Sequence, residues 1–481
     1  MPQGRQRQGW LSAGVVVAMA TLLRLPGLAN DLWLDEVWSV TNVAGLHSWR
    51  DVFTSVRVDN NHHLNSLWLY WVGDRMSATL DRAPALLCGI GTVIVAFALG
   101  ARDHLRTAVV TSALFALSFL MIYYSSEARG YAPVVFFAMA GWFSLREYAK
   151  RGTWLPLVSF WTCCGAGVLA HQTFIAFFAA GLFWCDAHVQ RHTRSIRVAS
   201  GRTLVAFAPP GLFFLGFYLV SIRGAAIMGG PTAGTAVVFA ETLSLLGSGP
   251  SHGPGIWACA LLVGGAFIAS VALMARRGDD RWLLYAIGGL AMPALFAAVQ
   301  QAAIYPRYFI VPGAFILLAI GDLLSRALEA GTLARSAALA GLAAMSLGTI
   351  LNVAELFRLG RGRFDEAVRH MADTRAGAVT VATEAEFSMF DVRSDMLIGY
   401  FGRALHVTDH LHYVPAGSYP MSGTDWMIRE SLGATPPAPT IVDANANEYV
   451  FDRAYRSMPL AGVDWLLYKR NNTPLRTAPG R

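Results

Sequence analysis

Charge is the scarcest ingredient of this 481-residue chain: Asp, Glu, Lys and Arg together make up 14% of it, against 54% hydrophobic residues. A soluble domain carries about 25% charged residues, so a string of soluble globular domains is excluded. Cysteine is also sparse. Cys88, Cys163, Cys164, Cys185 and Cys259 all fall in apolar segments, and no two have CxxC spacing. That pattern argues against structural zinc and a disulfide framework, and for cysteines buried among apolar neighbours. Internal repeats are missing. From residue 359 onward there is no GxGxxG, no Walker loop and no cluster with metal-ligand spacing, so nothing there points to nucleotide chemistry. The first apolar run follows Arg5 and Arg7 but lacks a small-residue cleavage site, which argues against a removed signal peptide.

What the chain has in abundance is apolar runs near the ~20 residues needed to cross a bilayer. Expected spans are 11–28, 83–101, 108–124, 133–145, 154–172, 174–185, 204–222, 255–275, 282–299, 309–324 and 334–353. The net charge of +7 resides largely in short loops between them, with arginines 191, 194, 197 and 202 in one such loop. Such loops orient helices with the basic side inward and are no nucleic-acid signature. About eleven spans follow, with the N-terminus cytoplasmic, in the plasma (inner) membrane. Trp33, Trp38, Trp49, Trp68 and Trp71 mark the first outer loop, 29–82, as interfacial; helices are expected there at 34–46 and 63–73. The Gly/Pro/Ser-rich stretch 223–254 is expected to be an outer loop. Beyond residue 358 the pattern changes. A helix at 365–373 and a strand at 377–383 are expected, then helix–strand pairs at 426–432/440–444 and 451–457/463–468. The fold class is therefore mainly α: a polytopic transmembrane bundle, 1–358, followed by a small extracytoplasmic α/β domain, 359–481.

This topology brings Asp35, Glu36, Asn61, His62, His63, Arg82, Glu127, Arg129, Tyr131, His171, Arg307 and Tyr308 to one membrane face. Ionisable residues gathered there are a functional-site signal. Asp35-Glu36 is either interfacial solubilising charge or a proton acceptor or metal ligand. Adjacent helical residues point about 100° apart, so only one of the pair faces a given substrate atom. Asn61, His62 and His63 either cap the helix that follows or hydrogen-bond a substrate. A divalent metal held by His62 or His63 with Asp35 is a further arrangement; otherwise no cofactor is called for. Arg82, Arg129 and Arg307 either snorkel or converge on a phosphate, which guanidinium groups hold bidentately. Glu127, Arg129 and Tyr131 form a compact polar turn in an apolar run, and tyrosines flank Arg307.

Taken in order, Asp35-Glu36 after the first span, the Asn/His motif opening the next helix, and Arg82 before the second span resemble the GT-C glycosyltransferases. So do Ser126-Glu127-Ala128-Arg129-Gly130-Tyr131 after the third span and Arg307-Tyr308 before a late one. The nearest branches are the protein O-mannosyltransferases, the aminoarabinose transferases of lipid A and the lipopolysaccharide galacturonosyltransferase-like proteins. The resemblance covers residues 10–355. It implies inverting transfer of a sugar from a polyprenyl-phosphate donor to an acceptor hydroxyl of a glycan, lipid or protein at the outer face. On this resemblance Asp35 is the base, and Arg82, Arg129 and Arg307 contact the donor phosphate. Many relatives carry His-Pro-Pro where this chain has Asn61-His62-His63-Leu64. A transporter or flippase of lipid-linked glycans is the alternative. It would favour broken helices and ionisable groups near mid-membrane, often with inverted repeats. A non-catalytic membrane scaffold would leave the outer-face motifs unexplained.

Overall fold

The computed structural model describes residues 3–73, 75–227, 234–299, 304–374, 376–384, 388–415, 418–431 and 436–471, with side chains described from residue 9 and, in the helix after the first strand, from 393. Leu432 of the expected helix 426–432 and residues 228–233 of the expected loop lie outside these. The described chain forms two compact units: residues 1–29 with 42–354, and residues 30–41 with 355–481.

The first unit is a helical bundle, and the chain is a multi-pass membrane protein. Among the described residues, seven helices are long and apolar enough to cross a bilayer, including Gly9–Leu28, Ala83–Ala101, Ile196–Ile222, Gly255–Arg276 and Pro306–Ala327. Helices Leu105–Leu117, Trp154–Ala170 and Thr235–Leu246 are shorter and apolar. The expected spans 133–145 and 174–185 lie within helices Tyr131–Arg151 and Ile175–Thr193. Pro306–Ala327 forms the centre of the bundle, with 83% of its apolar window buried. Close approach to it needs small residues: a Cβ at Gly321 would lie 2.4 Å from Thr111 Oγ1 and 3.1 Å from its Cα.

Two expectations for this unit are corrected. The stretch 223–254 is not loop throughout, because Thr235–Leu246 is helical and buries Val238, Ala240, Leu245 and Leu246. Eight of its twelve residues are apolar, and the flanking glycines and prolines mask that run in the sequence. The expected span 108–124 is two helices, Leu105–Leu117 and Phe119–Tyr124, meeting at Ser118. A break frees backbone carbonyls that lipid cannot satisfy, and side chains satisfy them here. Arg24 Nη2 donates to Phe115 O (3.1 Å) and Nη1 to Ala116 O (3.4 Å). Leu117 O accepts from Ser248 Oγ (2.7 Å) and Thr349 Oγ1 (2.6 Å), and Phe119 N donates to Ser248 Oγ (2.9 Å). The void beside Arg24 is about 10 Å³, too small for a substrate.

Helices Ala83–Ala101, Tyr131–Arg151 and Pro306–Ala327 each run from the expected outer residues to a charged end. At that end Arg281 meets Asp103 (2.5 Å), Asp279 (2.5 Å) and Asp322 (3.5 Å), and Arg146 meets Asp103 (3.2 Å). A 19-residue helix separates the two ends by about 28 Å at 1.5 Å per residue.

The second unit is a six-stranded mixed sheet with flanking helices. Strands β1 (Val379–Thr383), β2 (Leu411–Tyr413), β3 (Trp426–Ser431), β4 (Thr440–Val442), β5 (Glu448–Tyr455) and β6 (Asp464–Arg470) are ordered β2-β1-β3-β6-β5-β4. β1 is parallel to β2 and β3, and the other pairings are antiparallel. Helix Phe364–Ala372 packs through Phe364 onto Trp465, ring centroids 4.8 Å apart. The expected helices at 426–432 and 451–457 are strands. Their residues are rich in Trp, Ile, Tyr, Val and Phe, and β3 is laddered on both sides, so pairing overrides the weak helical periodicity. Residues 30–41 belong to this unit: Asp365 N donates to Asp31 Oδ2 (3.1 Å) and Asn30 Nδ2 to Leu356 O (3.3 Å).

Candidate functional site

In the bundle, the loop before helix His63–Val72 is fixed from two sides. Ala226 N donates to Arg57 O (2.9 Å) and Asp59 N to Ala226 O (3.0 Å), a short parallel bridge. Asn61 Nδ2 donates to Val52 O (2.8 Å) and Val56 O (2.9 Å), while its Oδ1 accepts from Ser66 Oγ (2.8 Å). Asn61 thus holds the loop. His62 occupies the N-cap position, yet its side chain makes no capping bond. Its imidazole instead bonds the Ala170 carbonyl. His62 Nε2 is buried without a hydrogen-bond partner.

The turn 127–131 closes over this ring. Asn65 Nδ2 donates to Ala128 O (2.7 Å), anchoring the turn to helix His63–Val72. Gly130 is required by close approach: a Cβ there would lie 1.9 Å from Ala170 O and 3.0 Å from His62 Nδ1. Arg129 Nη2 donates to Asn60 Oδ1 (2.6 Å), its Nη1 lies 3.5 Å from Glu127 Oε1, and its Cζ stands 4.9 Å from the Tyr131 ring centroid. Arg129 and Glu127 are both buried, so part of the arginine's charge is balanced internally.

A run of rings continues from there. His62 stacks on His171 with centroids 5.0 Å apart, Tyr131 lies 4.8 Å from His171, and Tyr308 stacks on its other side at 6.2 Å. Arg307 Cζ lies 4.1 Å from the Tyr305 ring and 5.7 Å from Tyr308, within cation–π range. His171 Nδ1 is engaged by Thr173 N (3.1 Å) and Oγ1 (2.8 Å). Burial, followed by the charge of Arg129, pushes His62 well below the usual imidazole range. Burial, then Arg129 and Arg307, pushes His171 down to about 3. Both rings are neutral at neutral pH, so the cluster offers two guanidinium groups and uncharged imidazole and phenol groups between them.

The fold brings together His62, Glu127, Arg129, Tyr131, His171, Arg307 and Tyr308. His63 points elsewhere: its ring packs 5.3 Å from Phe53 and 4.7 Å from Phe217, and burial pushes it down to about 4. Arg82 is fully buried and its Nη1 donates to Gly27 O (3.2 Å) and Leu28 O (3.3 Å). It thereby neutralises the carbonyl end of the first helix. In the other unit, Glu36 Oε2 accepts from Trp33 N (3.2 Å) and is buried, the reach-back half of a capping box. Asp35 is half-buried in the same first turn of helix Leu34–Val43. Of the two carboxylates, Glu36 shapes the helix start. Asn60 and Tyr305 join the expected site residues, through Arg129 and Arg307 respectively. Asn60 neighbours the Asn61-His62-His63 motif and Tyr305 neighbours Arg307, which is the signal that could have found them. Among the described residues, the carboxylate–imidazole group with metal-ligand spacing is His188, His192 and Asp280, at the other end of the bundle.

No protein-family model matches this sequence, and no curated protein matches it. Solved structures do. ArnT from Cupriavidus metallidurans in the apo state aligns at TM-score 0.50 with 13% identity, covering 96% of this chain and 98% of ArnT. The same enzyme bound to undecaprenyl phosphate aligns at TM-score 0.50 with 13% identity, over 97% of this chain and 98% of that one. An archaeal oligosaccharyltransferase, AglB from Archaeoglobus fulgidus in complex with an inhibitory peptide and a dolichol-phosphate, gives TM-score 0.47 and 10% identity over 89% of this chain and 70% of its own. The chain has the fold of ArnT.

Proposed function

We propose that the chain is an inverting glycosyltransferase that moves a sugar from a polyprenyl-phosphate donor to an acceptor hydroxyl. The observation that carries this is the pair of arginines, Arg129 and Arg307, joined by neutral His62, His171, Tyr131 and Tyr308 at one end of an apolar bundle. A phosphodiester anion at a membrane interface needs cations fixed in place. As the sugar leaves, charge builds on the phosphate, and preorganised guanidinium groups stabilise that charge. His62 Nε2, buried and unpartnered, accepts a hydrogen bond from a sugar hydroxyl. Asp35 is the base that takes the proton from the acceptor hydroxyl, and Glu36 holds the turn that carries it. The acceptor is a glycan, a lipid or a protein.

The reading is supported by the match over almost the whole chain to an enzyme solved with undecaprenyl phosphate. The enzyme so proposed lies in the plasma (inner) membrane with the N-terminus in the cytoplasm. The arginine cluster and the C-terminal sheet then lie outside, because the other end of the bundle carries the arginine-rich loops. The test is transfer of label from a panel of polyprenyl-phosphate sugars by the protein in lipid nanodiscs, with mass spectrometry of envelope glycans from cells with and without the gene. A donor that accumulates in the deletion and is consumed by the purified protein supports the reading. A deletion with unchanged donor pools and a protein inert toward every donor refutes it.

A further inference from the structure

The end of the bundle remote from the arginine cluster carries a second convergence of imidazoles. His188 and His192 lie four residues apart near the end of helix Ile175–Thr193, on one helical face. The turn preceding helix Arg281–Ala286 brings Asp280 against them. One ring nitrogen from each histidine and one Asp280 oxygen lie within 4.8 Å of one another.

The hydrogen bonds fix both tautomers. His188 Nδ1 lies 2.6 Å from Asp280 Oδ2, and His192 Nδ1 lies 2.8 Å from the carbonyl oxygen of His188. A carboxylate and a carbonyl accept only, so each Nδ1 carries a proton, and in the neutral ring, the form that ligates a metal, each Nε2 presents the lone pair. The rings stand 4.2 Å apart, inclined at 35°. Asp280 is held at both oxygens, because Trp184 Nε1 donates to Oδ1 (3.3 Å) while its indole stacks on His188 at 4.6 Å. Arg191 Nη1 donates to Gly278 O (2.6 Å) and binds the same helix to the same turn. A metal-ligating imidazole has its second nitrogen engaged by a carboxylate or carbonyl in this way, which fixes the ring and strengthens the donor. A lone hydrogen-bonded His188–Asp280 pair would not account for the second ring, held with its proton turned inward.

We propose that His188 and His192 bind one divalent transition-metal ion through their Nε2 atoms, with Asp280 orienting His188 and water completing the shell. Imidazole donors suit zinc, nickel and copper, and copper(II) binds tightest in that series. The ion would fasten the end of helix Ile175–Thr193 at a site separate from sugar transfer.

The experiment uses full-length protein carrying a non-histidine tag, stripped with chelator and held in nanodiscs. Zn²⁺ and Cu²⁺ are titrated by calorimetry, and Cu²⁺ is read by electron paramagnetic resonance. Wild type is expected to bind one ion with a two-nitrogen signature. Affinity should fall at least tenfold in His192→Ala and His188→Ala, and ten- to a hundredfold in Asp280→Asn. His192 is exposed, so the metal-free melting temperature of His192→Ala should match wild type. The rise in melting temperature on adding Zn²⁺ should disappear in that variant. Equal affinity in wild type and His192→Ala overturns the proposal. So does binding abolished by His62→Ala but retained in His192→Ala.

Discussion

Gly130→Ala tests whether the turn 127–131 holds the cluster together. Gly130 has φ of −79°, so alanine suits the backbone there and would by itself stabilise by up to about 1 kcal/mol. Space decides against it. The new Cβ would lie 1.9 Å from Ala170 O and 2.8 Å from its carbonyl carbon, while a carbon–oxygen contact needs about 3.3 Å. Ala170 ends helix Trp154–Ala170, so the obstacle is backbone that cannot rotate away. Overpacking of this kind costs about 3 kcal/mol, leaving a net loss of roughly 2 kcal/mol once the backbone term is subtracted. In a bundle this large, that is a fall of about 2–4 °C in melting temperature, measured by tryptophan fluorescence in detergent. The shift also loosens the His62–Ala170 and Arg129–Asn60 bonds, so transfer should drop at least tenfold. Gly201→Ala is the control: nothing lies within 4 Å of its Cβ, and its melting temperature should hold or rise. Wild-type melting and activity in Gly130→Ala would refute the role given to the turn.

Asp35→Asn keeps shape and removes the base, so transfer should vanish while the protein still folds, as read by its melting transition; unimpaired transfer sinks the assignment. Arg129→Ala would remove a cation facing the buried Glu127, so Arg129→Lys is the cleaner variant. It retains charge but not the fork, and should raise the donor KM while leaving the acceptor KM unchanged; equal effects on both would make Arg129 merely structural. His63 titrates at about 4 in the folded chain against an ordinary 6.5 because burial disfavours its cation. Its contribution is complete above pH 6.5 and is lost as pH falls to 4, about 3 kcal/mol in all. Melting temperature against pH should therefore be flatter over that interval in His63→Phe, and an unchanged slope refutes this. Ser248→Ala, at a residue 1% exposed, removes a donor to Leu117 O and an acceptor for Phe119 N; unfolding should be easier by about 1–3 kcal/mol.

The membrane bundle is legible in sequence because hydrophobic length is a one-dimensional signal, and the level of His62, Arg129, His171 and Arg307 follows from counting spans. Roles within the cluster are not legible that way. Asn61, His62 and His63 are consecutive, yet one holds a loop, one joins the ring stack and one packs between Phe53 and Phe217; helix geometry separates them, and only tertiary neighbours say which faces what. Arg82, expected at the donor phosphate, turns its Nη1 to the Gly27 and Leu28 carbonyls at the end of the first helix, a bond that sequence spacing does not disclose. The strand at Trp426–Ser431 reads as a helix in sequence because its pairing partners lie far along the chain, as β3–β6 pairing of Trp426 with Lys469 illustrates; Glu448–Tyr455 pairs with its sequence neighbours β4 and β6, and there the mixed polar and apolar residues hide the strand.

Arg24 has a consequence for how the protein is made. It enters the bilayer with the first span, while its acceptors on Phe115 and Ala116 lie 91 and 92 residues later. At roughly 5–20 residues per second of synthesis, the guanidinium waits on the order of 5–20 s for those carbonyls. Arg24 sits four residues from the end of its span, close enough to reach the headgroups in the interval. In that interval the acceptor open to it is the Ala20 carbonyl of its own helix, which Arg24 Nη1 also bonds (3.0 Å), and the bonds across the break at Ser118 are completed only once the later helices are in place.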